Sequence, residues 1–85
     1  MLEIKVLGPG CANCIRLERM VYNACAKLNL DADIQKITDM NEYPKYGLMM
    51  TPGLVVNGKL LSQGKVPTES TLEQWITKAN ELLTQ

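Results

Sequence analysis

Residues 2–14 read Leu2-Glu3-Ile4-Lys5-Val6-Leu7-Gly8-Pro9-Gly10-Cys11-Ala12-Asn13-Cys14. Leu2–Leu7 alternates apolar with polar and is β-branched at Ile4 and Val6, which predicts a strand. Gly8-Pro9-Gly10 stops it. Beyond the stop, Cys14, Leu17, Val21, Ala24, Cys25 and Leu28 recur at helical spacing, with Arg16, Arg19, Asn23 and Lys27 opposite them. A helix is therefore expected from Ala12 to about Asn29. The first two cysteines fall at the strand-to-helix turn, Cys11 in the N-cap region and Cys14 one turn inside.

The rest of the chain extends this unit. Ala32–Thr38 reads as a second, weaker strand whose charges suit a sheet edge. Asn41-Glu42-Tyr43-Pro44-Lys45-Tyr46-Gly47 predicts a short helix, with Asn41 as N-cap, Pro44 in the first turn and Gly47 as the stop. Leu54-Val55-Val56 and Leu60-Leu61-Ser62 flank Asn57-Gly58-Lys59, a strong hairpin signal. Ser70-x-x-Glu73 has the form of a capping box and opens the amphipathic run Leu72, Trp75, Ile76, Ala79, Leu82 and Leu83. The order is β-α-β-α-β-β-α. Its first two strands are joined through a helix and should pair in parallel, while the hairpin adds antiparallel strands. The expectation is one α/β domain over residues 1–85, a four-stranded mixed sheet covered by helices.

Composition narrows the chemistry. The chain has 85 residues, nine Lys+Arg against nine Asp+Glu, three Cys and no His. Zero net charge argues against a phosphate-binding surface, so no nucleic acid is expected. Without His there is no imidazole base and no His-ligated zinc site, and three Cys cannot complete a four-thiolate site. The apolar runs fall far short of the roughly 20 residues of a membrane span, and Met1–Val6 does not resemble a leader. A cytoplasmic, monomeric protein with no cofactor, no resident metal and no membrane partner is expected. In a reducing compartment, closely spaced cysteines are more often catalytic or metal-binding than structural.

Cys11 and Cys14 are three apart, so on a helix they share a face and their sulfurs come within bonding reach. The helix start also favours the reactive thiolate: unpaired N–H groups and the dipole lower a thiol from ~8.5 to between ~3.5 and ~7.5 at such positions. This predicts a dithiol/disulfide exchange centre in which Cys11 attacks a substrate disulfide and Cys14 resolves the mixed disulfide. The plain alternative is two small apolar residues at a helix start. Cys25 lies about 20° around the helix from Cys14 but roughly 16 Å along it, too far for a disulfide, and is expected in the core. Thr51-Pro52-Gly53, ahead of the third strand, is a second candidate site element; a Pro there also suits a strand start.

Taken together, Ile4 to Cys14, Gly47-Leu48-Met49-Met50-Thr51-Pro52-Gly53-Leu54-Val55-Val56-Asn57-Gly58 and the terminal helix resemble the thioredoxin-like superfamily. More narrowly, they resemble its small redox-active disulfide proteins of bacteria and archaea. The resemblance implies a thioredoxin-like β-α-β-α-β-β-α sandwich with helices on both faces. It implies Cys11 as nucleophile, Cys14 as resolver, and a cis Pro52 whose loop lies against the pair. It also implies that the Thr51 backbone pairs with an extended substrate peptide. Client protein disulfides and a reductase would be the partners. The chain departs from ordinary thioredoxins in its Cys-Ala-Asn-Cys motif and in Lys5, which stands where they bury an acid. It departs from glutaredoxins in having Gly64-Lys65-Val66-Pro67 where they carry a glutathione-binding segment.

Two rival functions share these residues. Soft-metal carriers place two thiolates between a first strand and helix, a pair suited to Cu(I). They normally carry a Met two residues before the first Cys, where this chain has Pro9, and they end in a strand. A non-catalytic adaptor would use Met49-Met50 beside Pro52 as an apolar rim.

Overall fold

The structure is a computed structural model that describes residues 1–83; the last two residues of the expected 1–85 domain lie outside the described residues. The elements follow the order β1 (Leu2–Leu7), α1 (Ala12–Lys27), β2 (Ala32–Ile37), a short 3-10 helix (Met40–Tyr46), β3 (Gly53–Val56), β4 (Lys59–Gln63) and α2 (Glu69–Leu83). The sheet is ordered β2-β1-β3-β4. β1 pairs in parallel with β2, Leu2 opposite Ala32 and Leu7 opposite Ile37. β3 runs antiparallel to both β1 and β4, so the sheet is mixed. Asn57 and Gly58 close the β3–β4 turn with φ of 51° and 83°, the left-handed pair that matches the twist of a two-residue hairpin. No helix among the described residues is long and apolar enough to cross a membrane.

Alternation along β1 divides the core between the two faces of the sheet. Leu2, Ile4 and Val6 join Leu54 and Val56 beneath Leu17, Val21, Ala24 and Cys25 of α1 and Leu72 and Ile76 of α2. Leu7 and Val55 point to the other side, where Tyr43 and Leu48 cover them. Among the described residues helices thus lie on both faces, the two α-helices on one and the 3-10 helix on the other. Each fully buried Leu or Ile contributes roughly 1.5–3 kcal/mol, so the α1/α2 face supplies most of the stability.

Helix boundaries depart from the sequence expectation for identifiable reasons. α1 stops at Lys27 because Asn29 turns left-handed, φ 55°, letting the Leu30 N–H reach back to the Cys25 carbonyl at 2.9 Å. The N-cap of the 3-10 helix is Asp39, not Asn41: the Asp39 carboxylate accepts the Asn41 N–H at 2.9 Å. The expected Ser70–Glu73 box does not form. Thr68 caps α2 instead, its hydroxyl oxygen accepting the Thr71 N–H at 3.2 Å and its carbonyl the Leu72 N–H at 2.9 Å. Glu73 is drawn across to α1, where its carboxylate meets the Lys27 ammonium at 3.3 Å.

Candidate active site

The site begins where β1 ends. Gly8 continues the strand, donating its N–H to the Ile37 carbonyl at 2.9 Å. Gly10 then takes a φ of 94°, a left-handed turn that delivers Cys11 to the N-cap of α1. Cys11 is exposed and its sulfur accepts the Cys14 N–H at 3.1 Å, filling at the helix start the role of a Ser or Asp oxygen. The Cys11 carbonyl takes the next bond, from the Ile15 N–H at 3.0 Å. Cys14 lies one turn in and is 3% exposed. The two are joined as a disulfide, with Cα atoms 4.9 Å apart.

The asymmetry between these sulfurs is chemically useful. Cys11 is exposed and Cys14 is buried below it. No acid occupies the first turn of α1, so nothing there opposes negative charge on Cys11.

Gly8 gathers the rest of the site. A Cβ built on it would run into the Cys14 sulfur, lie 3.2 Å from the Cys14 Cβ and 3.9 Å from the Pro52 Cα. The end of β1, the buried cysteine and the start of β3 therefore meet at one backbone position. The Thr51–Pro52 bond is cis; Pro52 is buried and Thr51 exposed. Ile15, Met49 and Met50 add exposed apolar surface from the same two segments, Met49 being 88% exposed.

Lys5 takes no part in this cluster. It alternates with Ile4 and Val6, so it faces away from α1, donating to the Tyr46 hydroxyl at 3.2 Å and lying 5.1 Å from that ring's centre. The Tyr46 hydroxyl raises the Lys5 pKa by hydrogen bonding to the ammonium. Cys25 is buried in α1 as a free thiol, and desolvation raises its pKa. Among the described residues no group of three His, Cys, Asp or Glu side chains converges as a metal site.

Sequence reasoning names Cys11, Cys14, Thr51 and Pro52, and the fold brings their two segments together around Gly8. It treats Gly8 only as punctuation and misses Gln63 altogether. The Gln63 side-chain oxygen accepts the Met49 N–H at 2.8 Å and the Met50 N–H at 3.3 Å. Neither role has a local signal, because each depends on a contact between distant parts of the chain.

Comparison with known proteins agrees with this geometry. A family model described as a thioredoxin domain matches residues 2–77. A thioredoxin of Methanothermobacter thermautotrophicus is 36% identical over 74 residues, covering 87% of this chain and 96% of the relative. A thioredoxin of Methanocaldococcus jannaschii is 31% identical over 74 residues, covering 87% and 85%. The solution structure of oxidised thioredoxin from Plasmodium falciparum superposes with a TM-score of 0.62 at 21% identity, covering 91% of this chain and 79% of its own, a likeness of fold. With the fold, the cysteine pair and the family match in agreement, this chain belongs to the thioredoxin domain family.

Proposed function

We propose that the protein is a thiol–disulfide oxidoreductase that exchanges electrons with protein disulfides through Cys11 and Cys14. The observation that carries this reading is the pairing of an exposed sulfur at a helix N-cap with a buried sulfur one turn behind it. In the reducing direction the Cys11 thiolate attacks one sulfur of the client disulfide. A Cys11–client disulfide forms, and the other client sulfur leaves as a thiolate that takes a proton from water. Cys14 gives up its proton and attacks the Cys11 sulfur, forming the Cys11–Cys14 disulfide and releasing the second client thiol. Two electrons have passed to the client, and a dithiol reductase must return them.

Recognition falls to the loop before β3. Thr51 is exposed and its backbone N–H has no partner among the described residues, which suits strand-like pairing with an extended client segment. One domain acting as a monomer suffices for this cycle. The test is dithiothreitol-driven reduction of insulin. Acceleration that disappears in Cys11→Ser supports the reading. No acceleration from a protein whose Cys11–Cys14 disulfide forms and opens normally would turn it toward a carrier or adaptor.

A further inference from the structure

The backbone around Pro52 is held unevenly. The Leu48 N–H goes to the Tyr43 carbonyl at 3.1 Å, and the Pro52 carbonyl accepts the Gly64 N–H at 2.9 Å. Between these ties, the Met49 and Met50 N–H groups both end on one atom, the side-chain oxygen of Gln63. Pro52 has no N–H. Within residues 48–52, Thr51 alone keeps an N–H with no acceptor among the described residues. Gln63 is the last residue of β4, opposite Gly53 in the ladder, so its backbone belongs to the sheet while its side chain reaches over the loop. Met50 is seated on the same strand end: a Cβ on Gly64 would come within 2.9 Å of the Met50 methyl carbon.

We infer that Gln63 is a positioning residue for client recognition: its carboxamide oxygen fixes the Met49–Met50 backbone so that the Thr51 edge is presented preformed to a client strand. This rests on the oxidoreductase reading above and assigns to that site a residue of its own. Gln63 contacts neither sulfur in any bond described, so it acts on binding and leaves exchange itself alone. A loop that must be ordered at the moment of binding costs affinity; one already ordered does not. The effect therefore falls on KM for a client that uses the loop and spares a small disulfide that reaches only Cys11. Glu at this position keeps two acceptor oxygens at the same reach, whereas Ala keeps none.

The experiment measures KM and kcat for a disulfide-bonded peptide, the rate with a small aromatic disulfide, and the Cys11–Cys14 potential. It does so in the wild type, Gln63→Ala and Gln63→Glu, each checked for folding by its thermal transition. Gln63→Ala is expected to raise the peptide KM about tenfold, roughly the loss of one to two net hydrogen bonds. Its kcat and small-disulfide rate should stay within about twofold of wild type, the equilibrium constant of the Cys11–Cys14 couple should too, and Gln63→Glu should recover most of the KM. An unchanged KM in Gln63→Ala, or equal losses with peptide and small disulfide, would overturn the inference. So would a Gln63→Glu variant no better than Gln63→Ala. Failure of the wild type to turn over any peptide disulfide is a different result, since it removes the oxidoreductase reading itself.

Discussion

Gly8 and Cys14 are packed so closely that the space a Gly8 side chain would need is already filled by the Cys14 sulfur. Gly8 is held in place by its bond to the Ile37 carbonyl, and Cys14 by its disulfide to Cys11. Because neither partner is free to give way, Gly8→Ala should destabilise the oxidised protein by about 1–3 kcal/mol, the usual range for forcing an extra carbon into a filled site. The reduced protein should lose less, since an unlinked Cys14 side chain can rotate away. Urea unfolding of both forms checks this. Equal stability of Gly8→Ala and wild type in the oxidised form would contradict the packing described.

Asn57 gives a contrasting prediction at the far end of β3. It is left-handed, its side-chain oxygen accepts the Glu3 N–H at 3.0 Å, and its N–H donates to the Glu3 carbonyl at 2.8 Å. Its side-chain nitrogen donates to the Ala79 carbonyl at 3.4 Å, which ties the hairpin to α2 as well as β1. Asn57→Ala should cost about 2 kcal/mol, combining backbone strain with lost hydrogen bonds. Asn57→Gly, which removes the strain but not the loss of bonds, should cost about half of that. Insulin reduction should be unchanged in both, because the turn lies at the opposite end of β3 from Pro52. Chemical denaturation read beside turnover separates the two effects.

Gly8 and Asn57 also mark how far the fold is legible in the chain. The Asn57-Gly58 turn, the strand Leu2–Leu7 and the helix that begins beside Cys11 are encoded in adjacent residues, by periodicity and turn chemistry. Their placement needs no knowledge of the rest. The packing of Gly8 on Cys14 and the reach of Gln63 to Met49 and Met50 are set by tertiary approach, to which local pattern is blind. The cap of α2 is a local matter: Thr68 takes it, so Ser70 lies inside the first turn and cannot cap, and Glu73 pairs with Lys27 on another helix. The cysteine pair is legible because its chemistry depends on a spacing of three within one helix. The loop that faces it is legible through family resemblance.

Cys25 predicts a pH effect. Burial raises its thiol above the ordinary value of 9.0. Well below that value the thiol is protonated both folded and unfolded, so its contribution does not vary with pH. Above it the unfolded chain ionises first, and stability is lost until the pH passes the folded value. As the pH rises through 9.0, the wild type should therefore lose stability more steeply than Cys25→Ala, while the two turn over clients alike. Denaturation midpoints across that range measure the difference. Parallel pH profiles would show that Cys25 is not held in its neutral form by the core.

The most direct test of the account is mixed-disulfide trapping with the two single-cysteine variants of the pair. Cys14→Ser keeps the exposed attacking sulfur and lacks the resolving one, so it should accumulate a covalent adduct with a disulfide-bonded client that dithiothreitol releases. Cys11→Ser should accumulate none. Adduct formed by Cys11→Ser and not by Cys14→Ser would contradict the assignment of Cys11 as the attacking sulfur.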